Sequence, residues 1–151
     1  MIPNIPRCGL ASIEREEGCR LAPYQDVAGI WTIGIGNIRD LDGQPVTART
    51  PPVTEAQAQL LLARDAGKTW LGVCRLTSGL TLTERQLGAL LSFAYNEGVA
   101  ALEHASLLAS VRAGQEPRED EWTRWCLAGR PLRRSEGLYQ RRLREAALYS
   151  T

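Results

Sequence analysis

A chain of 151 residues, 44% hydrophobic and 23% charged, has the length for one domain or for two small lobes sharing a core. It can bury enough surface to fold without metal or disulfide staples. A formal net charge of +1 supplies no global field that would select for nucleic acid, and the longest apolar stretch, around Leu87–Tyr95, falls far short of the ~20 residues that a bilayer requires.

In chain order, Arg7–Glu17 reads as a helix with Leu10 and Ile13 on its apolar stripe and Gly18 as its stop. From Ala22 to Ile38 the period changes. Trp31, Ile33 and Ile35 alternate with Thr32, Gly34 and Gly36, and the turn residues of Asp26-Val27-Ala28-Gly29 stand before them, so a β-hairpin is predicted. A polar connection follows through Asp40, Asp42-Gly43 and Pro51-Pro52. Thr54 with Gln57 has the spacing of a capping box opening one long helix, Glu55–Cys74, weakened by Gly67 and Gly72. Thr83 with Gln86 repeats that start ahead of the apolar helix Leu87–Asn96. Shorter helices fit Ser106–Ala113, Pro117–Ala128 and Ser135–Tyr149. One small sheet between a first helix and a run of helices is an α+β, mostly helical order, not alternating βαβ.

At about 100° per residue, Glu17 lies within about 10° of the centre of the Leu10–Ile13 stripe, whereas Glu14 and Glu16 lie about 70° and 90° away. A carboxyl on a buried face has its charged form disfavoured, which suits a general acid; a glutamate at a helix end can equally reach past it into water, and periodicity leaves both readings standing. If Asp26 pairs opposite Ile30, Thr32 pairs opposite Tyr24, and Asp26 and Thr32 share a face with Gly34 and Gly36, whose bare backbone another molecule can approach. An aspartate in a turn is ordinarily a backbone cap. Taken together, two carboxyls in contrasting surroundings are the minimal equipment for glycoside hydrolysis.

These residues carry a resemblance. Glu17-Gly18, Asp26, and Thr32 within Trp31-Thr32-Ile33-Gly34-Ile35-Gly36 resemble the Glu–eight–Asp–five–Thr signature of phage-type lysozymes. The likeness continues through Leu82-Thr83-Glu84-Arg85-Gln86, Leu90–Gly98, Ser106-Leu107-Leu108, and Gly137-Leu138 with Arg141-Arg142 and Glu145, nearly the whole chain in order. It implies a lysozyme-like fold: a β lobe at roughly 18–53, a helical lobe of 1–17 plus 75–151, and a connecting helix at roughly 54–74. It also implies a muramidase that hydrolyses the β-1,4 bond between N-acetylmuramic acid and N-acetylglucosamine with inversion, needing no cofactor and no metal. Glu17 would protonate the leaving oxygen, while Asp26 and Thr32 would hold the water. Ile38, Tyr95 and Ser106 match cleft positions, although Tyr95 fits a core aromatic equally well. Asn37 departs from the histidine usual there, which bears on pH behaviour or stability more than on activity. Gly129–Glu136, with three arginines, departs from a glycine-rich form.

Two other readings compete: a lytic transglycosylase, which needs one acid and no water-holding pair, and a non-catalytic wall-binding protein. The latter would use the Arg130–Arg144 stretch, where six arginines face only Glu136. Such a stretch is ordinarily a solvated helix face, the alternative being attraction to an anionic polymer such as teichoic acid, lipid headgroups or nucleic acid. A nucleic-acid partner is not expected, because no aromatics interleave with the basic run. Peptidoglycan strands are the expected partner of a monomer. Cys8, Cys19, Cys74 and Cys126 include no C-x-x-C pair, and with His104 alone they argue against zinc; buried free thiols are expected. Cys19, between the catalytic candidates, could make activity sensitive to oxidation. The N-terminus, with Pro3, Asn4 and Pro6, lacks signal-peptide features, so the protein is expected in the host cytoplasm until it is released to the wall.

Overall fold

The computed structural model describes residues 4–151; Met1–Pro3, part of the segment read for a signal peptide, lie outside it. The order is α1 (Arg7–Glu17), β1 (Arg20–Gln25), β2 (Trp31–Gly34), α2 (Glu55–Leu76), α3 (Glu84–Glu97), α4 (Val99–His104), α5 (Ser106–Arg112), α6 (Glu119–Thr123), β3 (Leu127–Ala128), β4 (Arg133–Arg134) and α7 (Glu136–Ser150). This is an α+β, mostly helical chain with two separate two-stranded antiparallel sheets, β1–β2 and β3–β4. It divides into two compact units, Ile13–Lys68 on the one hand, and residues up to Ser12 with Thr69–Thr151 on the other.

In the unit Ile13–Lys68, Ile13, Ile33, Ile35, Val46, Val53, Ala58, Leu61 and Leu62 form the core. Burial does not alternate along β2 as the sequence pattern suggested: Ile33 and Ile35 are fully buried, but Thr32 and Gly34 are buried too, and Trp31 is half-buried. Thr54 and Gln57 close the expected capping box of α2, with Thr54 N donating to Gln57 Oε1 at 2.9 Å and Gln57 N to Thr54 Oγ1 at 3.1 Å. The helix then runs 22 residues without a break at Gly67 or Gly72. For Gly72 the reason is packing in the other unit: a Cβ there would lie 2.6 Å from the methyls of Val99.

The second unit is organised around α3, whose residues from Gly88 to Ala94 are all buried, as in a helix apolar on every side. Backbones approach closely where Gly9 faces Gly88: a Cβ on Gly88 would meet Cys8 Sγ at 2.6 Å and Gly9 N at 2.9 Å. Phe93 sits edge-on to Trp122 and Trp125, with ring centroids 6.1 and 5.5 Å away. Beneath this apolar layer runs a buried polar one. Glu145, fully buried, receives Ser92 Oγ at 2.8 Å and Arg141 Nε at 3.2 Å, and pairs with Arg142 Nε at 3.1 Å. Burial nonetheless prevails over the two guanidiniums and raises the carboxyl's pKa.

Three features depart from the expected helices. A helix absent from the pattern, α4, follows α3 directly after Gly98, whose φ of +99° breaks the chain direction in a single residue. The helix expected over Pro117–Ala128 is only Glu119–Thr123, because Leu127 and Ala128 pair instead with Arg134 and Arg133. The Arg130–Arg144 stretch is not one basic face: Arg130, Arg133 and Arg134 are exposed on the hairpin, whereas Arg141 and Arg142 are buried against Glu145. The cysteines also differ from expectation. All four are free, but only Cys126 is buried, and Cys19 is exposed.

Candidate active site

Glu17 ends α1, and Gly18 stops the helix with φ +68° while its N–H donates to Glu14 O at 2.9 Å. The glutamate is half-buried, intermediate between the two sequence readings. Its carboxyl lies against the turn that ends β2: a Cβ on Gly36 would be 3.0 Å from Glu17 Oε2 and 3.4 Å from Cδ. A glycine is therefore required at 36 twice over, by the carboxyl above it and by its φ of +71°. The face left bare by the glycines is filled from within the protein. Glu17 covers Gly36, while a Cβ on Gly34 would meet Asn37 Oδ1 at 3.2 Å and Ala58 Cβ at 3.5 Å.

The register opposite is the expected one. Asp26 N donates to Ile30 O at 3.0 Å and Tyr24 faces Thr32, which sets Asp26 and Thr32 on one side of the hairpin. Asp26 is also the turn cap that its position suggested. Its Oδ1 accepts from Ala28 N at 2.8 Å and from Ile30 N at 2.9 Å, leaving Oδ2 without a hydrogen bond among the described residues. Thr32 is buried, and its hydroxyl proton goes to Ile30 O at 2.9 Å, so Oγ1 keeps only acceptor capacity.

Opposite Thr32 on β1 stands Tyr24, which sequence reasoning used only to set the register. Burial raises its pKa, Arg20 stacked 4.3 Å from the ring centroid opposes that, and the charges of Glu17 and Asp26 add to it. The only sequence signal for it was its place two residues before Asp26 and opposite Thr32. Of the proposed cleft residues, Ile38 lies in the same unit and is 54% exposed. Tyr95, half-buried on α3, and Ser106, at the start of α5, belong to the other unit. The Ser106 hydroxyl oxygen is buried beside Glu121, a carboxylate already taken up by Ser110 Oγ at 2.9 Å and Arg118 N at 2.9 Å.

Asn37 is fully buried and holds the turn after β2. It exchanges backbone hydrogen bonds with Ile33 at 2.8 and 3.0 Å, accepts Ile35 N on Oδ1 at 3.1 Å and donates Nδ2 to Asp65 Oδ2 at 2.8 Å. Asp65 in turn pairs with Arg64 Nε at 2.9 Å, and Arg64 reaches the carbonyls of Arg39 and Asp40. Burial pushes the Asp65 carboxyl up, but Arg64, Asn37 and Lys68 together outweigh it and hold the pKa below the ordinary value. A carboxyl lowered in the fold stabilises above its unfolded pKa, and that contribution is lost as pH falls through the folded one. Asn37→Ala removes a donor to Asp65 and strands the buried Ile35 N–H, at a cost of about 1–3 kcal/mol. Thermal melts should show the variant well below wild type at neutral pH, with the gap narrowing in acid as Asp65 protonates in both. A gap that stays constant with pH would separate Asn37 from Asp65.

Comparison with known proteins gives the arrangement a family. Residues 14–145 match the profile described as phage lysozyme. The chain is 30% identical over 151 residues to an endolysin of Acyrthosiphon pisum secondary endosymbiont phage 1, covering 98% of this chain and 99% of that one. It is 32% identical to an endolysin of Bacillus phage B103 over 98% of its own length, and spans about half, 54%, of that relative. The solved endolysin from Escherichia coli O157:H7 phage FAHEc1 superposes with a TM-score of 0.90 at 32% identity, covering 97% of this chain and 93% of the other. In sequence and in fold alike, the chain belongs to the phage lysozyme family.

Proposed function

We propose that this muramidase cuts the β-1,4 bond between N-acetylmuramic acid and N-acetylglucosamine in peptidoglycan by direct hydrolysis, with Glu17 as proton donor and Asp26 and Thr32 as the holders of the attacking water. The observation that carries the reading is the hydrogen-bond state of the pair. Asp26 has one oxygen tied into the turn and Oδ2 open, and Thr32 has given its only proton to Ile30 O. Both therefore offer acceptors. A water donating one hydrogen to each is left with its lone pairs as the outward-facing group, which is the orientation a nucleophile needs. As Asp26 takes a proton from that water, its oxygen bonds to the anomeric carbon. The bond to the leaving oxygen breaks, and that oxygen takes the proton of Glu17.

The support favours water over the internal transfer of a lytic transglycosylase, which has no use for a second carboxylate and a hydroxyl that both accept. Digestion of peptidoglycan in ¹⁸O-labelled water separates the two: hydrolysis places one labelled oxygen at each new reducing end, whereas transfer within the sugar places none. Unlabelled products would remove the water-holding role. Ile38, Tyr95 and Ser106 are retained in this proposal as saccharide contacts. The site of action is the bacterial cell wall, and among the described residues no helix is long and apolar enough to cross a membrane. Residence of a monomer in the host cytoplasm, until another agent such as a holin opens the way, completes the reading.

A further inference from the structure

The hairpin β3–β4 contributes no residue to the candidate active site. Every residue from Leu127 to Arg134 is exposed, with Leu127 at 54% and Leu132 at 68%, although a leucine ordinarily seeks cover. Its base is firm: Ser135 N donates to Cys126 O at 2.7 Å, Cys126 is buried, and Arg134 lies 4.0 Å above the ring of Tyr139. No acidic residue occurs from 127 to 135. Arg130 and Arg133 have no ion-pair or hydrogen-bond partner among the described residues, and Arg134 only reaches Glu136 at 3.6 Å. Neighbouring arginines are occupied. Arg118 and Arg124 both grip Asp120, at 2.9 and 2.7 Å, and hold its pKa at about 2; Arg141 and Arg142 are buried against Glu145. Unneutralised positive charge in this part of the chain thus gathers on the hairpin, beside its two uncovered leucines.

From this we infer that the hairpin is a docking surface for an anionic phospholipid bilayer. A polyanionic wall polymer or a nucleic acid would neutralise the arginines but gain nothing from Leu127 and Leu132, and no aromatic ring lies between 127 and 134 to stack on a base. A bilayer satisfies both features, guanidiniums at the phosphates and leucines in the interfacial layer. The pairing of Leu127 with Arg134 and of Ala128 with Arg133 places the two strand arginines on opposite faces of the ribbon. That arrangement fits entry of the tip edge-on into a planar surface, with charge on both sides.

The test is sedimentation of the full chain with vesicles of phosphatidylcholine alone, or with about a third of phosphatidylglycerol. Wild type should prefer the anionic vesicles. Arg130→Gln with Arg133→Gln should weaken that partition about thirtyfold, each basic group near such a surface being worth about fivefold. Leu127→Ser with Leu132→Ser should still bind at low salt and release by about 0.15 M, where exposed charges are screened. Equal binding to neutral and anionic vesicles, or no binding, overturns the inference, as does an arginine pair variant that binds like wild type. Leucine variants matching wild type at every salt concentration overturn it in favour of an anionic polymer. Loss of cleavage of purified glycan strands in the same variants would instead assign the hairpin to the substrate site.

Discussion

Glu17→Gln should lower lysis of outer-membrane-stripped Gram-negative cells by about 10²–10⁴-fold or more, with the fold intact. The amide has nearly the shape of the acid, so it fits the space above Gly36, where nothing larger than hydrogen is carried on the backbone. What it lacks is a proton acidic enough to follow the departing oxygen. The amide keeps the shape of the half-buried carboxyl, and a carboxyl placed for catalysis commonly costs stability, so the melting temperature should hold or rise. Circular dichroism and thermal melts on the same preparations separate lost chemistry from lost structure. Lysis near the wild-type rate would end the assignment of Glu17 as proton donor, and with it the division of labour between Glu17 and Asp26.

The parts of this chain that were legible in the sequence are those set by local rules. Capping boxes at Thr54 and Thr83 each mark a helix start to the residue, because the signal is one side chain and one amide three positions away. Alternation through Trp31–Ile35 gave the strand, and the turn at Asp26 fixed the register of its partner. What stayed hidden depends on distant residues. Glu17 resting on Gly36 and Asn37 reaching Asp65 across 28 positions are tertiary facts with no periodicity of their own. Gly34 and Gly36 were legible as a bare surface but not as one that the protein itself fills. The same holds for the C-terminal arginines. Counted along the chain they form one basic stretch, yet helix phase and the burial of Glu145 turn two of them inward, and the short hairpin turns three outward. That hairpin escaped notice because two-residue strands carry no alternation to detect.

Hydrolysis of the β-linked glycan should release the α-anomer first. In the proposed mechanism a water held by Asp26 and Thr32 would attack the sugar from the side opposite the leaving oxygen protonated by Glu17, and a single displacement would invert the anomeric carbon. Thr32 has the hydrogen bonds for this role: its proton is spent on Ile30 O, so it can only accept from the water. If Asp26 instead attacked the carbon itself, two displacements would return the β-anomer. Proton magnetic resonance recorded before mutarotation decides between them, and a β-anomer appearing first would defeat the water-holding pair. Thr32→Glu presses the same point further. It sets a carboxylate on the face where the water stood, next to Asp26 and opposite Tyr24. That oxygen can then bond to the anomeric carbon as the glycosidic bond breaks and Glu17 protonates the leaving sugar, giving a glycosyl ester of residue 32. The water site being filled, the ester should persist and register in intact-mass spectrometry as the chain plus a glycan fragment, with turnover lost. The double variant with Glu17→Gln should carry no adduct, since the leaving oxygen would again lack its proton. An adduct equally abundant with and without Glu17 would mean that bond cleavage here does not depend on the acid.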